Sequence, residues 1–217
     1  MEAIRKIPER SIVIFGMIAA LLYIFAAIYS PYASIFQSES ILSASIITVV
    51  IMLPLVLFFA ASWLRLTDPP LRRAGNLIAA VSGVVVIVLQ IYYYSVWMDV
   101  ILPADGYSLV GKLKTASLLL KLANTVLYVG IILIGVSFLS RTNRKFTKAG
   151  LANVIGAGIG CLSFPFSASG FFLQIGMDTE SANTLLFLFA LAARIPLMVL
   201  LYSIFKDQKI PENELKK

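Results

Sequence analysis

An arginine in the middle of a long apolar segment is the residue best placed to do chemistry in this sequence. Arg194 lies at the centre of the apolar run 183–205. Because a helix rises about 1.5 Å per residue, roughly 16–18 Å separate it from either end of the run, which is a long reach for a side chain. A central arginine in a membrane costs on the order of 2.5–3.5 kcal/mol on insertion scales, so we expect a compensating partner.

The acidic residues do not supply that partner, because none lies deep in an apolar run. Three alternatives remain open. The first is a backbone carbonyl freed where a proline interrupts a helix, and the second is a side-chain amide. The third is an anion or acidic lipid headgroup, which a guanidinium binds through two parallel hydrogen bonds. The prolines concerned are Pro54, Pro165 and Pro196, and the amides are Gln90, Asn124, Asn153 and Gln174.

These observations lead to a specific hypothesis about a ligand site. Pro165 is expected to break the fifth apolar run, and polar side chains near that break join Arg194 in a pocket for a small anionic or lipid-like ligand. The alternative is that Arg194 is satisfied by carbonyls and hydroxyls and only stabilises the bundle. The predicted ligand-binding residues are Arg194, Asn124, Asn153, Ser163, Ser167 and Gln174.

Most catalytic chemistry is excluded by composition. The chain has no histidine and one cysteine, Cys161, which excludes Ser-His-Asp triads, the usual zinc sites, histidine-ligated haem and dithiol redox pairs. No phosphate-binding loop or nucleophile elbow occurs. A serine–lysine pair using Lys121 remains possible, but Lys121 is close enough to the end of its run to reach the headgroups. The sequence therefore predicts a protein that is not an enzyme and has no cofactor or metal.

The elements that position Arg194 are predicted to be membrane-spanning helices. The sequence is 59% hydrophobic and only 13% charged, whereas soluble domains are about a quarter charged. This excludes a soluble globular protein, a disordered chain and a coiled coil. About 20 apolar residues cross a bilayer as a helix, and the runs do not alternate in polarity as barrel strands do. The sequence predicts an all-α fold, a single domain over 1–217, with six spans at 12–29, 44–64, 76–98, 117–140, 149–175 and 183–205.

The basic residues predict the orientation of these spans. Of the 18 lysines and arginines, only Lys112 and Lys114 fall in loops on one side, while most of the others flank the spans on the opposite side. Positive residues favour the cytoplasmic side, so both termini are predicted to be cytoplasmic in a multi-pass protein of the cell membrane. Because the net charge of +7 lies at helix ends, membrane lipids are the expected partners and nucleic acid is not.

Small residues recur at helical spacing in two of the runs. Residues 62–83 and 137–158 align without gaps, which predicts either a parallel repeat of helix pairs or only shared composition. Gly75, Ala79 and Gly83 lie four residues apart in the third run. Gly156 and Gly160 do the same in the fifth. Small residues at this spacing let membrane helices approach closely, so we expect them to serve packing.

One segment also resembles a known group of proteins. Gly135-Val-Ser-Phe-Leu-Ser-Arg is followed by a short basic loop, Ala149-Gly-Leu and a glycine-rich run. Together with the number of spans, this segment is similar to an uncharacterised family of bacterial six-helix integral membrane proteins. The resemblance covers mainly residues 130–160 and implies a fold but no activity. The function predicted from the residues is ligand binding or transport, and the alternative is a scaffold or accessory subunit that packs against other membrane subunits or a second copy.

Overall fold

The fold consists of six long α-helices. The structure is a computed structural model that describes residues 9–33, 38–65, 68–101, 106–139, 146–169 and 174–207. Within these ranges the chain is helical with short turns and contains no strand, which confirms the predicted all-α class. The helices are α1 Glu9–Ala33, α2 Ser38–Trp63, α3 Pro70–Ile101, α4 Gly106–Ser137, α5 Thr147–Ser169 and α6 Thr179–Asp207.

Most of the helices are long and apolar enough to cross a membrane. Judged by length and composition, α1, α3, α4, α5 and α6 each qualify among the described residues, and α2 contributes a shorter apolar segment, Val49–Trp63. Even α5, with 23 residues, extends about 35 Å at the usual rise per residue, against a hydrocarbon core of about 30 Å. The chain therefore has the helices of a membrane protein, and the sixth span at α2 stays a prediction.

The six helices form a closed ring. Each helix packs against the helices before and after it in the chain, and α6 packs against α1. Leu55, Phe59, Leu127 and Ile131 are fully buried inside the ring. The outside is also apolar, because large aliphatic side chains on every helix are exposed, as expected for a surface that faces lipid. The most exposed include Leu21, Val50, Val88 and Ile155.

Side-chain contacts place one set of helix ends together. Arg65 at the end of α2 pairs with Glu9 at the start of α1, and Arg10 of α1 lies over the ring of Phe205 near the end of α6. Arg72 in the first turn of α3 donates to the hydroxyl of Ser137 at the end of α4. This end carries most of the described cations and is called the basic end. Its described cations are Arg10, Arg65, Arg72, Arg73, Lys148 and Lys206.

Small residues bring the helices together as predicted. A Cβ built on Gly75 of α3 would lie 2.7 Å from the carbonyl oxygen of Gly130 on α4. On the other side of α4, a Cβ on Gly150 of α5 would lie 2.9 Å from the carbonyl oxygen of Gly135. Both distances are too short for a real side chain, so the backbones meet because glycine stands at these positions.

The predicted helix breaks at proline are wrong. Pro54, Pro165 and Pro196 lie inside α2, α5 and α6, and each helix continues past its proline. A proline removes one backbone hydrogen bond, which neighbouring helices can tolerate in a membrane bundle. Pro196 is accommodated by its neighbour α5, because its ring occupies the space that a side chain at Gly156 would fill. The glycine on α5 therefore accommodates the proline on α6.

The predicted runs and the helices differ most at the fourth run. It was predicted over 117–140, whereas α4 extends over Gly106–Ser137. The fifth run was predicted to extend to residue 175; α5 is described to Ser169, residues 170–173 lie outside the described part, and Gln174 is helical before a turn with positive φ at Gly176. The glycines matched by the internal alignment also differ in environment, because a Cβ on Gly83 would strike Val56 and one on Gly158 would meet nothing. The repeat stays a prediction.

Candidate functional site

The start of α6 is fixed by a side-chain cap. The carboxylate of Asp178 accepts hydrogen bonds from the backbone N–H of Ser181 at 2.8 Å and from its hydroxyl at 2.7 Å, which is the usual arrangement at a helix N-terminus. These bonds hold the pKa of the Asp178 carboxyl below its ordinary value. From this capped end α6 runs through Arg194 to the basic end.

The guanidinium of Arg194 is held by the first helix of the chain. Its Nη1 donates a hydrogen bond to the backbone carbonyl oxygen of Tyr23 at 2.7 Å, and its Cζ lies 4.0 Å from the centroid of the Tyr23 ring. A carbonyl oxygen has two lone pairs, so it can accept this bond and a helical one. Stacking a guanidinium on an aromatic ring adds a favourable cation–π interaction that strengthens when water is excluded.

Two polar atoms of this pair have no partner. Arg194 Nε and the hydroxyl of Tyr23 are buried without a hydrogen bond, and among the described residues no carboxylate forms an ion pair with Arg194. A buried hydroxyl or charged donor without a partner is unfavourable by about 1–3 kcal/mol or more. The site therefore has two buried donors without a well-formed hydrogen bond, one from α6 and one from α1.

A second tyrosine completes the surroundings of Arg194. Tyr128 of α4 is buried, and its phenol lies close enough to Tyr23 and Arg194 to interact electrostatically with both. Its ring fits against α5 because a Cβ on Gly160 would lie 2.9 Å from two of the ring carbons. The site is thus built by α1, α4, α5 and α6. We call Arg194, Tyr23 and Tyr128 the arginine–tyrosine site.

The structure does not gather the predicted polar residues into one pocket with Arg194. Asn124 donates to the carbonyl oxygen of Leu120 at 3.0 Å, and Ser163 donates to that of Gly160 at 2.6 Å. Both side chains turn back onto their own helix, as short polar side chains do in apolar surroundings. The prediction that they surround Arg194 is not supported by these contacts.

The remaining predicted residues have other positions. Asn153 is fully buried and donates to the carbonyl oxygen of Ile131 on α4 at 2.9 Å, while its Oδ1 has no partner. Gln174 is exposed and helical, directly before the turn at 175–176. Ser167 belongs to α5, but its side chain lies outside the described part of the structure. Among the predicted site residues whose contacts the structure describes, those of Arg194 place it in the arginine–tyrosine site.

A second polar group of residues lies at the basic end, where sequence reasoning placed only lipid-facing charges. A cavity of about 60 Å³ is enclosed there by the ends of five helices, and its walls are charged on one side and apolar on the other. We call it the basic-end cavity. Its polar lining residues are Glu9, Ser62, Arg65, Asp68, Arg72 and Asn76.

The charges around the basic-end cavity are paired. Arg72 Nη1 lies 3.1 Å from the Asp68 carboxylate, and Arg65 Nη1 lies 3.7 Å from that of Glu9. The guanidinium of Arg72 also stacks on the ring of Phe138 at 4.0 Å. Burial raises the pKa of the Asp68 carboxyl, although Arg72 and Arg65 act in the opposite direction. The signal in the sequence was the acidic residue within this basic loop, followed by Asn76 early in the next helix.

No metal site accompanies either group: the described residues contain no cluster of three or more histidine, cysteine or acidic side chains. Comparisons with models of known protein families, with curated proteins and with solved structures find no match to this chain. The resemblance to bacterial six-helix membrane proteins accordingly stays a prediction.

Proposed function

We propose that this protein binds, and through that site transports, a small anionic or lipid-like ligand at Arg194, within a bundle of six membrane-spanning helices. The observation that carries the proposal is the partly buried side chain of Arg194, which has no carboxylate partner among the described residues and a buried Nε without a hydrogen bond. A buried cation is normally paired, and ionisable residues within membrane segments commonly mark ligand or ion pathways.

The geometry of the arginine–tyrosine site favours an anion. The bond to the Tyr23 carbonyl and the stack on the Tyr23 ring hold the guanidinium in one orientation. Arg194 Nε and the Tyr23 hydroxyl, both without a partner, belong to the same stacked pair. A carboxylate or phosphate oxygen would satisfy a charged and a neutral donor together, through hydrogen bonds that are stronger for being charge-assisted.

The orientation of the protein follows from its basic end. Most of the described lysines and arginines lie there, and positive residues favour the cytoplasmic side of a membrane. This supports an orientation in the cell membrane with both termini cytoplasmic, because the start of α1 and the end of α6 meet at the basic end. Anionic lipid headgroups are the partners expected at this face.

A specific observation favours the alternative function as a scaffold. Arg194 is already tied to Tyr23, and three cavities in the described part of the structure are lined by other residues. One of them is an apolar groove of about 450 Å³ between α3 and α4 that faces outward. A protein with a closed interior and an apolar outer groove could act by packing against another membrane subunit.

An experiment with anionic amphiphiles separates the two functions. A fluorescent fatty acid and an anionic phospholipid are titrated separately against purified wild-type protein, Arg194→Gln and the control Lys121→Gln, which removes a half-buried cation from α4. We expect Arg194→Gln to weaken binding at least about tenfold, the effect of losing one charge-assisted hydrogen bond, while Lys121→Gln binds as the wild type does. The two titrations distinguish a free carboxylate from a phospholipid headgroup. Unchanged binding by Arg194→Gln, with only its melting temperature lowered, contradicts the proposal.

A further inference from the structure

The basic-end cavity has room for solvent. One water needs about 10–15 Å³ of such volume, so a cavity of about 60 Å³ holds roughly four waters. Its outer wall includes the Arg65–Glu9 pair, in which the Glu9 side chain is 55% exposed. The cavity therefore lies directly behind a surface group at the basic end.

The walls of the cavity contain unused hydrogen-bonding groups. Asn76 and Ser62 are 3% and 8% exposed; no side-chain hydrogen bond is seen for either in the described ranges, and both line the cavity rather than being sealed within the protein. The carboxamide of Asn76 offers two donors and one acceptor, and the hydroxyl of Ser62 offers one donor. Buried polar groups of this kind are nearly always satisfied, by water where protein does not serve. Both side chains line the cavity. A molecule in the cavity can therefore form the hydrogen bonds that the protein does not provide.

The charges in the walls do not call for an ionic occupant. The two guanidiniums that line the cavity are each within ion-pair distance of a carboxylate, Arg65 with Glu9 and Arg72 with Asp68. A molecule in the cavity would therefore form hydrogen bonds with the uncharged side chains of Asn76 and Ser62. This separates the cavity from the arginine–tyrosine site, where the unused donor is a cation without a carboxylate.

The cavity is close to Arg194 but closed from it. Leu197 lines the cavity and lies three residues from Arg194, which puts the two side chains on the same face of α6. Leu197 and the neighbouring Phe59 and Leu200 are buried to 1% exposure or less. These three apolar side chains line the inner part of the cavity, about one helical turn from the guanidinium.

We propose that the basic-end cavity is a hydrated vestibule that binds small uncharged hydrogen-bonding groups at Asn76 and Ser62, with water as its resting occupant. This inference does not depend on the proposed function: the vestibule lies on the basic-end side of the arginine–tyrosine site, and Leu197, Phe59 and Leu200 separate the two. The hydration of the cavity is inferred from its volume and from the polar side chains of Asn76 and Ser62 alone.

Cysteine labelling tests the vestibule directly, because the chain has a single native cysteine. In a Cys161→Ala background, Asn76→Cys and Ser62→Cys are compared with Val86→Cys, which is equally buried on α3 but does not line the cavity. The probe is 2-hydroxyethyl methanethiosulfonate, which is small, neutral and hydrogen-bonding, and the mass of the intact protein reports the reaction. Monodispersity in detergent confirms that each variant is folded.

We expect Asn76→Cys and Ser62→Cys to react at least about tenfold faster than Val86→Cys, which becomes accessible only through local unfolding. If neither reacts faster than Val86→Cys, the vestibule is wrong. Adding Arg194→Gln to Asn76→Cys distinguishes this result from the proposed function: the labelling rate stays the same whether or not anion binding at Arg194 is found.

Discussion

Arg194 and Tyr23 are separated by 171 residues in the chain and joined by a 2.7 Å hydrogen bond in the fold. The bond runs from the sixth helix to the backbone of the first, so it closes the ring of helices with a polar contact. The stacked ring of Tyr23 shields the guanidinium on one face. Arginine suits this position better than lysine, because only a planar guanidinium can stack and donate at once.

The Tyr23 hydroxyl provides the first prediction. Because it is buried without a hydrogen bond, Tyr23→Phe keeps the ring stack and removes an unsatisfied group. We expect the free energy of unfolding in mild detergent to be unchanged or to rise by up to about 1–3 kcal/mol. Tyr202→Phe, at a lipid-facing position of α6, is the control and should change nothing. A clear loss of stability in Tyr23→Phe would mean that the hydroxyl has a partner in the folded protein.

The contact between α5 and α6 provides the second prediction. A Cβ on Gly156 would collide with the carbonyl oxygen of Ala192 and the ring of Pro196, whereas a Cβ on Gly158 would meet nothing within 4 Å. We expect Gly156→Ala to lower stability by about 1–3 kcal/mol through overpacking. Gly158→Ala should be neutral or stabilising by up to about 1 kcal/mol, because alanine favours the helix. The melting temperatures of both variants, measured by thermal unfolding, test this prediction. Equal values would contradict the close contact of Gly156 with α6.

The helices could be predicted from sequence because apolar runs of membrane length leave few alternatives. Each run falls on one helix, and its described ends lie within six residues of the helix ends, except that α4 begins at Gly106, eleven residues before the predicted start of the fourth run. The error about helix continuity arose at proline. Pro165 was expected to break the fifth helix, but a helix packed against its neighbours in a membrane bundle can tolerate the lost hydrogen bond. Local sequence does not show which neighbours are present, so it cannot decide between a break and a tolerated proline.

The site could be predicted only as far as Arg194 itself. Its depth in an apolar run is visible in the sequence, but its partner is a backbone carbonyl, and every residue has one. Nothing in the type of Tyr23 distinguishes it from the other aromatic residues of α1. Tyr23 becomes the partner of Arg194 because α1 packs against α6. That packing is part of the tertiary structure and cannot be read from the local sequence. The basic-end cavity was missed for the same reason, because Asn76 and Ser62 come from different helices.

Asn153 provides the third prediction, which separates a structural amide from a ligand-binding one. Its Nδ2 bonds to the Ile131 carbonyl oxygen and its Oδ1 is unpaired. Asn153→Leu loses one net hydrogen bond and one unsatisfied acceptor, so we expect a change within about 1.5 kcal/mol. Asn153→Asp puts an acceptor against the Ile131 carbonyl and should cost about 3–5 kcal/mol if the carboxylate ionises. Comparable stability of the two variants, measured by unfolding near neutral pH, would show that the amide proton is not used.

The fourth prediction concerns the pH dependence of stability at the two ends of the bundle. Burial raises the pKa of Asp68. Between the ordinary Asp pKa of about 3.9 and this raised value, the folded protein holds more protons than the unfolded one, so the Asp68 contribution to stability falls as pH rises. The pKa of Asp178 is lowered by its hydrogen bonds to Ser181. Its contribution is present above the ordinary pKa and is lost as pH falls.

Neutral substitutions isolate these opposite contributions. The melting temperature of Asp68→Asn minus that of the wild type should increase between about pH 4 and 7, because the variant avoids ionising a buried group. The same difference for Asp178→Asn should decrease as pH rises toward the ordinary Asp pKa of about 3.9 and stay nearly constant above it, because the carboxylate caps the start of α6 more strongly than a neutral amide only once it is ionised. Both variants remove one carboxylate, so each is a control for the other. If the Asp68→Asn difference instead decreases as pH rises, as the Asp178→Asn difference does at lower pH, burial does not dominate the environment of Asp68, and its ion pair with Arg72 is the stronger influence.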